Sequence, residues 1–386
     1  MEIIGNSTDM YAQAYFAYDS KKSGGITISH LRFGKKPIKS PYLITNADFI
    51  SCSNQSYVYM YDLLAGLKDG GTFLLNCVWP KEELEEKLPA YMKRYMAAHN
   101  INFYTINAVQ IAQEIGLGNR TNMIMQSAFF KLAGVIPIEE AVNHLKGSIK
   151  EAYGRKGENI IKMNCASVDK GISDLVKVEV PAAWADAKDE VVAEKDVPAF
   201  VKEKLQPMNR LEGDKLPVSA FKDAADGVFP MGTARYEKRG VSAFVPEWIK
   251  ENCIQCNQCS YVCPHAAIRP VLLNDEEARN APAAFATRPA TGKQLAGLTF
   301  RTQVSVLDCM GCGVCVNTCP AKEKALVMQP IESQKEEQSA NWDYAMTVSV
   351  KDNLWNLFSV KGSQFAQPLL EFSGACPAAQ RPRTPS

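Results

Sequence analysis

The chain has 386 residues, too many for one small core, so two or three domains are expected. Hydrophobic residues make up 46% and charged residues 22%, a soluble globular profile, and 43 Lys plus Arg against 42 Asp plus Glu leave no basic field for nucleic acid or an anionic membrane surface. The opening MEIIGNSTDMYAQAYF has no charged segment leading into an apolar run, and no stretch of about 18 apolar residues occurs, so neither a secretory signal nor a membrane span is expected and a cytoplasmic location is.

In chain order, residues 1–178 alternate strand and helix patterns. PYLIT (41–45) reads as a strand. YVYMYDLLAGLKDGG (57–71) reads as a helix closed by glycines. TFLLNCVW (72–79) is a continuous apolar run, the mark of a strand buried on both faces. Residues 80–100 begin with Pro80 and acids in the first turn of a helix, which Pro89 should break or kink. INFYTI (101–106) is a strand, and 107–118 a helix capped by Asn107 with Gly118 past its end. Helices follow near 120–134, 138–153 and 157–171. This alternation implies an α/β domain with a mostly parallel sheet. Residues 178–215 are rich in Ala, Pro, Asp, Glu and Lys and read as an extended connector with one short helix; 216–248 form an irregular segment. A cysteine domain occupies 249–345, and the tail 346–386 ends in a Pro-rich polar run expected to be disordered.

Eight of the twelve cysteines fall in two repeats, CIQCNQCSYVCP from Cys253 and CMGCGVCVNTCP from Cys309. Such clustering without a secretion signal argues for metal over disulfides. Three cysteines spaced by three wrap the backbone around one iron–sulfur cubane, while the fourth points away and ligates the other cluster. The predicted sets are therefore Cys253, Cys256 and Cys259 with Cys319 (cluster A), and Cys309, Cys312 and Cys315 with Cys263 (cluster B). Gly311 and Gly313 should let the chain pass close to inorganic sulfur with amides free to donate to it. The competing chemistry is zinc, but a zinc ribbon needs two pairs of thiols rather than four at this spacing, twice. Two [4Fe–4S] clusters are the expectation. The segment between Cys263 and Cys309 is longer than a minimal two-cluster ferredoxin needs and reads as an insertion. Cys52 and Cys77 lie in or beside strand-like runs and read as buried thiols. His30, His99, His144 and His265 read as structural or surface residues.

The phrases TDMYAQAYFAYDSKKSGGITISHLRFGKKPIKSPYLI, GGTFLLNCVW, GLGNRTNMIMQSAFFKLAGVIP, PMNRLEGDKLPVSAFKDAADGVFPMGTARYEKRG and ENCIQCNQCSYVCPHAAIRP resemble the middle of pyruvate:ferredoxin (or flavodoxin) oxidoreductases, over about residues 3–375. The resemblance implies a γ-type α/β domain at 1–178, a linker with the Glu237-Lys238-Arg239 segment at 179–248, an α+β bacterial-type two-cluster ferredoxin domain at 249–345, and the truncated start of a thiamine-binding domain at 346–386. In that family coenzyme A accepts the acyl group, thiamine diphosphate carries the carbanion chemistry, and three clusters pass electrons to ferredoxin or flavodoxin. The γ-type domain resembles the part contributing to coenzyme A binding, so Lys21, Lys22, Asn119 and Arg120 are candidate contacts, although two lysines before a Gly-Gly turn commonly mark only a solvated turn. Thiamine-binding motifs do not occur in the sequence, and Cys376 opens what resembles the third-cluster pair without a second cysteine. The expected function is the electron-transfer portion of a 2-oxoacid oxidoreductase, unable to oxidise pyruvate alone. Two alternatives stay open: a free-standing iron–sulfur carrier or adaptor, and an inactive gene fragment.

Overall fold

The computed structural model describes residues 2–19, 24–39, 41–189, 197–354 and 356–365. It divides into two compact units, one drawn from Met1–Tyr18, Thr27–Asp196 and Asn209–Leu211, the other from Asp19–Ile26, Val197–Met208 and Glu212–Ser386.

The first unit opens with α1 (Glu2–Ser7) and an antiparallel hairpin, β1 (Tyr11–Tyr18) with β2 (Thr27–Gly34). Its central sheet is formed by β3 (Ala47–Cys52), β4 (Leu67–Asn76), β5 (Asn102–Ile106) and β6 (Val176–Val178), in that order. The first three strands run parallel and β6 is antiparallel to β5. Between them lie α2 (Leu84–Lys87), α3 (Ala90–Ala98), α4 (Ala108–Ile115), α5 (Asn122–Ala133), α6 (Ile138–Tyr153) and α7 (Glu158–Ser173). In β4 the side chains of Phe73, Leu74 and Leu75 are all fully buried. Phe73 and Leu75 pack with Met92 and Met96, while Leu74 faces the other way onto Ile111, Ala112 and Ile124. That two-sided burial is why this strand reads as an unbroken apolar run. Each such side chain contributes roughly 1.5–3 kcal/mol by leaving water.

Several local expectations change. The strand expected at 41–45 lies at 47–52. The stretch 57–71 is no helix: a short 3-10 turn at Gln55–Tyr59 gives way to bends, and β4 begins at Leu67. Gly70 and Gly71 sit within that strand instead of stopping a helix. The expected break at Pro89 is present between α2 and α3. Asn107 caps α4 by accepting from Gln110 N, but the helix stops at Gly116 in a left-handed conformation, before Gly118. Cys52 and Cys77 are buried, and burial pushes the two thiols up to about 11 and about 12.

The connector is better packed than its composition implies. Trp184, within the 3-10 turn Ala182–Asp186, is buried in the core of the first unit and donates its indole N–H to Glu85. Arg94 forks onto both Asp189 oxygens at 3.0 and 3.1 Å. A large aromatic side chain overrides the polar text around it. A short helix, α8 (Gln206–Asn209), follows.

The second unit contains β7 (Phe244–Trp248), α9 (Gln258–Tyr261), β8 (Ile268–Leu273), α10 (Asp275–Asn280), β9 (Arg288–Pro289), β10 (Thr299–Val304), α11 (Val314–Thr318), β11 (Leu326–Pro330), α12 (Ile331–Ala345) and α13 (Val360–Ser363). β7 pairs antiparallel with β11, and a second sheet has the order β8-β10-β9. Val245, Ile268, Val304, Val306, Cys315, Leu326 and Ile331 form its main core. β7 precedes residue 249, and Phe365, buried in a separate cluster with Leu272, Leu295 and Phe300, follows residue 345, so this unit draws on chain beyond both expected limits. The expected tail features from residue 366 onward, Cys376 among them, lie outside the described residues.

Candidate metal centre

The two cysteine repeats adopt the same backbone shape. In the first, Gln255 and Asn257 have φ of 57° and 60°; in the second, the corresponding Gly311 and Gly313 have φ of 65° and 73°. Each pair of left-handed residues curls the loop around its own thiols. Gln255 N then donates to Cys253 Sγ and Gly311 N to Cys309 Sγ, both at 3.4 Å. Asn257 and Gly313 each begin a short helix, α9 and α11, that carries the third cysteine, Cys259 or Cys315.

Cys263, Cys309, Cys312 and Cys315 line one cavity, with Pro246, His265, Met310 and Met328 among its other walls and about 340 Å³ of atom-free space, part of it open to solvent. These are the four residues expected at cluster B. Burial pushes the Cys309 and Cys315 thiols up to about 12, and the other thiols of the set add to the effect. Burial raises Cys263 too, against hydrogen bonds from the His265, Ala267 and Ile268 backbone. Of the cluster A set, Cys259 is raised by burial and then by Cys253, Cys315 and Cys256. Cys319 is half-buried and is not among the thiols acting on Cys259; its carbonyl accepts from Lys324 Nζ at 2.7 Å.

Such a donor set is unfavourable for bare thiolates: four sulfurs in low dielectric repel as soon as they ionise. A cationic iron group reverses that penalty, and backbone N–H groups already aimed at sulfur would stabilise the bound thiolates. Among the described residues, no three His, Cys, Asp or Glu side chains gather closely enough for a single metal ion.

A cation also lies near the first repeat. Lys361 donates to Thr291 O and Oγ1 at 2.7 and 2.9 Å, and its carbonyl accepts from Asn257. Burial lowers its pKa, while Cys253 and Cys256 raise it. Sequence reasoning missed Lys361, Gln255 and Asn257; only Asn257, a residue tolerant of left-handed backbone, carried a signal.

Of the other candidates, Lys21 and Lys22 lie outside the described residues. Asn119 and Arg120 are exposed in the turn before α5. His30 Nδ1 accepts from Ile44 N, and His99 pairs with Asp69 at 2.6 Å, both structural arrangements. His265 is buried. No helix among the described residues is long and apolar enough to cross a membrane.

One unit is α/β with parallel strands, and the other bends two four-cysteine loops around their own sulfurs, an arrangement suited to iron–sulfur clusters. Family models agree along the chain: pyruvate ferredoxin/flavodoxin oxidoreductase matches residues 1–173, the EKR domain of unknown function 186–242, and a 4Fe-4S double cluster binding domain 252–322. Over 97% of its length the chain is 62% identical to the pyruvate-flavodoxin oxidoreductase of Enterobacter agglomerans and 57% identical to the pyruvate:ferredoxin oxidoreductase of Moorella thermoacetica. It is 56% identical to the pyruvate-flavodoxin oxidoreductase of Klebsiella pneumoniae, again over 97%. Each match takes in 32% of the relative, so the chain is similar to these oxidoreductases over about a third of their length.

Proposed function

We propose that the chain is the electron-transfer portion of a pyruvate (2-oxoacid):ferredoxin/flavodoxin oxidoreductase. On this reading Cys253, Cys256, Cys259 and Cys319 hold one [4Fe–4S] cluster, and Cys309, Cys312, Cys315 and Cys263 hold the second. The carrying observation is the cavity lined by Cys263, Cys309, Cys312 and Cys315, in which one thiol comes from the first repeat and three from the second. When bound, such clusters supply single-electron storage. The chain's own part is to exclude water from the sulfurs, donate backbone N–H groups to them, and hold the two sets side by side, as the action of Cys315 on Cys259 supports.

The same proposal divides the chain into a γ-type domain (1–178), a linker with the Glu-Lys-Arg segment (179–248), a bacterial-type ferredoxin domain (249–345) and a tail (346–386). Electrons arrive from a thiamine diphosphate site in other domains or subunits and leave to ferredoxin or flavodoxin. Coenzyme A, if held here, meets Lys21, Lys22, Asn119 and Arg120; the exposure of Asn119 and Arg120 favours this.

Anaerobic reconstitution tests the reading. About eight iron and eight sulfide per chain are expected, falling to about half in Cys263→Ala or Cys319→Ala. Stoichiometric zinc in their place, or full iron in both variants, overturns the ligand sets. The chain alone should not reduce methyl viologen with pyruvate and coenzyme A; turnover by the isolated chain would overturn the division of labour.

A further inference from the structure

Residues 237–244 run along the second cysteine loop. Gly240 N donates to Leu307 O at 2.8 Å. A Cβ on Gly311 would run into Ser242 Oγ and stand 2.8 Å from Phe244 O. In this segment Lys238 takes φ of 37°, a left-handed conformation costly for a lysine and sustained only where the surroundings over-determine it. The conformation sends its ammonium group onto the Asp308 carboxylate, within 3.3 Å of Ser305 Oγ and 5.3 Å from the centroid of the Trp342 ring. On either side Glu237 and Arg239 approach each other at 3.7 Å, with Arg239 buried.

Asp308 immediately precedes Cys309 and is only 7% exposed. Its Oδ2 takes Lys238 and Ser305, while its Oδ1 is buried without a hydrogen-bond partner among the described residues. A buried carboxylate at the foot of a cluster-binding loop opposes the arrival of an electron. Removing its cation would leave that charge uncompensated in low dielectric, where its field carries furthest.

We infer that Lys238 is a positioning residue for the cluster held by Cys263, Cys309, Cys312 and Cys315: it clamps Asp308 against the loop and, by neutralising it, raises the reduction potential of that cluster. The inference rests on the two-cluster reading above. It gives the Glu-Lys-Arg triplet, within the region that matches a domain of unknown function, a part in electron transfer. The sign follows from charge alone. A positive neighbour stabilises the reduced, more negative cluster, and a negative neighbour destabilises it.

The test is an anaerobic redox titration at pH 8, followed by electron paramagnetic resonance, on the reconstituted full chain and three variants. In Lys238→Gln one of the two one-electron steps should move to lower potential. In Asp308→Asn the same step should move to higher potential, with the other step unmoved in both. Lys238→Arg should restore the parent value. Should Lys238→Gln fail to hold iron, the upward movement of a single step in Asp308→Asn decides the question alone. Unmoved steps, both steps moving together, or the two variants moving one step in the same direction would overturn the inference and leave Lys238 a merely structural residue. Iron content separates the two levels: parent protein far below about eight iron per chain sinks the two-cluster reading and this inference with it. A full complement with unmoved potentials sinks the inference alone.

Discussion

Gly311 and Gly313 look alike in the sequence and differ in what they allow. Both have left-handed backbone, but a Cβ at Gly313 meets nothing within 4 Å, whereas at Gly311 it meets Ser242 and the Phe244 carbonyl. Gly313→Ala should therefore cost only the left-handed strain, about 1–2 kcal/mol, and retain both clusters. Gly311→Ala should push the loop off the 242–244 segment and lose about half the iron. Iron analysis with a thermal melt distinguishes them; equal iron in the two variants would show that the close approach is dispensable. The glycines were legible because glycine is the default for such backbone. Of their counterparts, Asn257 carried only the signal of a residue tolerant of left-handed backbone and Gln255 none, and each is stabilised by distant partners. Gln255 Nε2 donates to Pro289 O at 2.8 Å and its Oε1 accepts from Thr291 N at 2.9 Å, while Asn257 Nδ2 donates to Lys361 O. Side-chain bonds over such sequence separations leave no local pattern, so these partners could not be read from the sequence.

At the scale of elements, the insertion between the repeats is a packed structure whose anchor is α10. Asn274 and Glu277 form a capping box at its start. The Glu277 carboxylate also takes Lys351 Nζ at 3.0 and 2.8 Å and Ser349 Oγ at 2.6 Å, and its carbonyl accepts from Tyr344. Burial opposes ionisation of Glu277, but Lys351, Ser349 and the Asn274 backbone outweigh it and hold the pKa at about 2 against the ordinary 4.5. A depressed carboxylate lends stability above its unfolded pKa and loses it as pH falls towards the folded value. Protection of the α10 amides against hydrogen exchange should therefore weaken as pH drops below 4.5, towards about 2. Glu277→Ala should weaken it at neutral pH, by about 1 kcal/mol for the lost reciprocal capping-box and Lys351 bonds, and flatten the pH dependence. Unchanged protection in the variant would remove the cap from the account. Elements were most legible where one period dominates, as in β4, β5 and the three helices α5, α6 and α7. They failed where periods compete. The run 57–71 is apolar enough for either helix or strand. There Tyr91 Oη lies 3.0 and 2.7 Å from the carbonyls of Val58 and Tyr61, its one proton shared between them, and fixes the chain as bends. The hairpin β1–β2 went unnoticed because Tyr11, Tyr15, Phe16 and Tyr18 are exposed along both faces of β1 and show no inside–outside alternation.

For the whole molecule, the question is whether two clusters act as one path. Each repeat begins a short helix at its third cysteine, and the two helices bring Cys259 and Cys315 near enough for one thiol to raise the pKa of the other. These are the inner edges of the two proposed sites. On the proposed ligand sets, which interlock through Cys263 and Cys319, an electron crossing from one cluster to the next would stay inside protein. Close paramagnets couple. The fully reduced chain should give an electron paramagnetic resonance spectrum broadened and split by interaction between clusters, unlike the sum of two isolated signals. Cys312→Ala makes the decisive comparison, because Cys312 is exposed and is expected to ligate only the second cluster, so its loss leaves the first to report alone. That variant should show a narrow, uncoupled signal at about half the iron content. If the parent spectrum instead equals a simple sum, with no broadening at full reduction, the clusters are too far apart to form a relay, and the role proposed for this chain loses its physical basis.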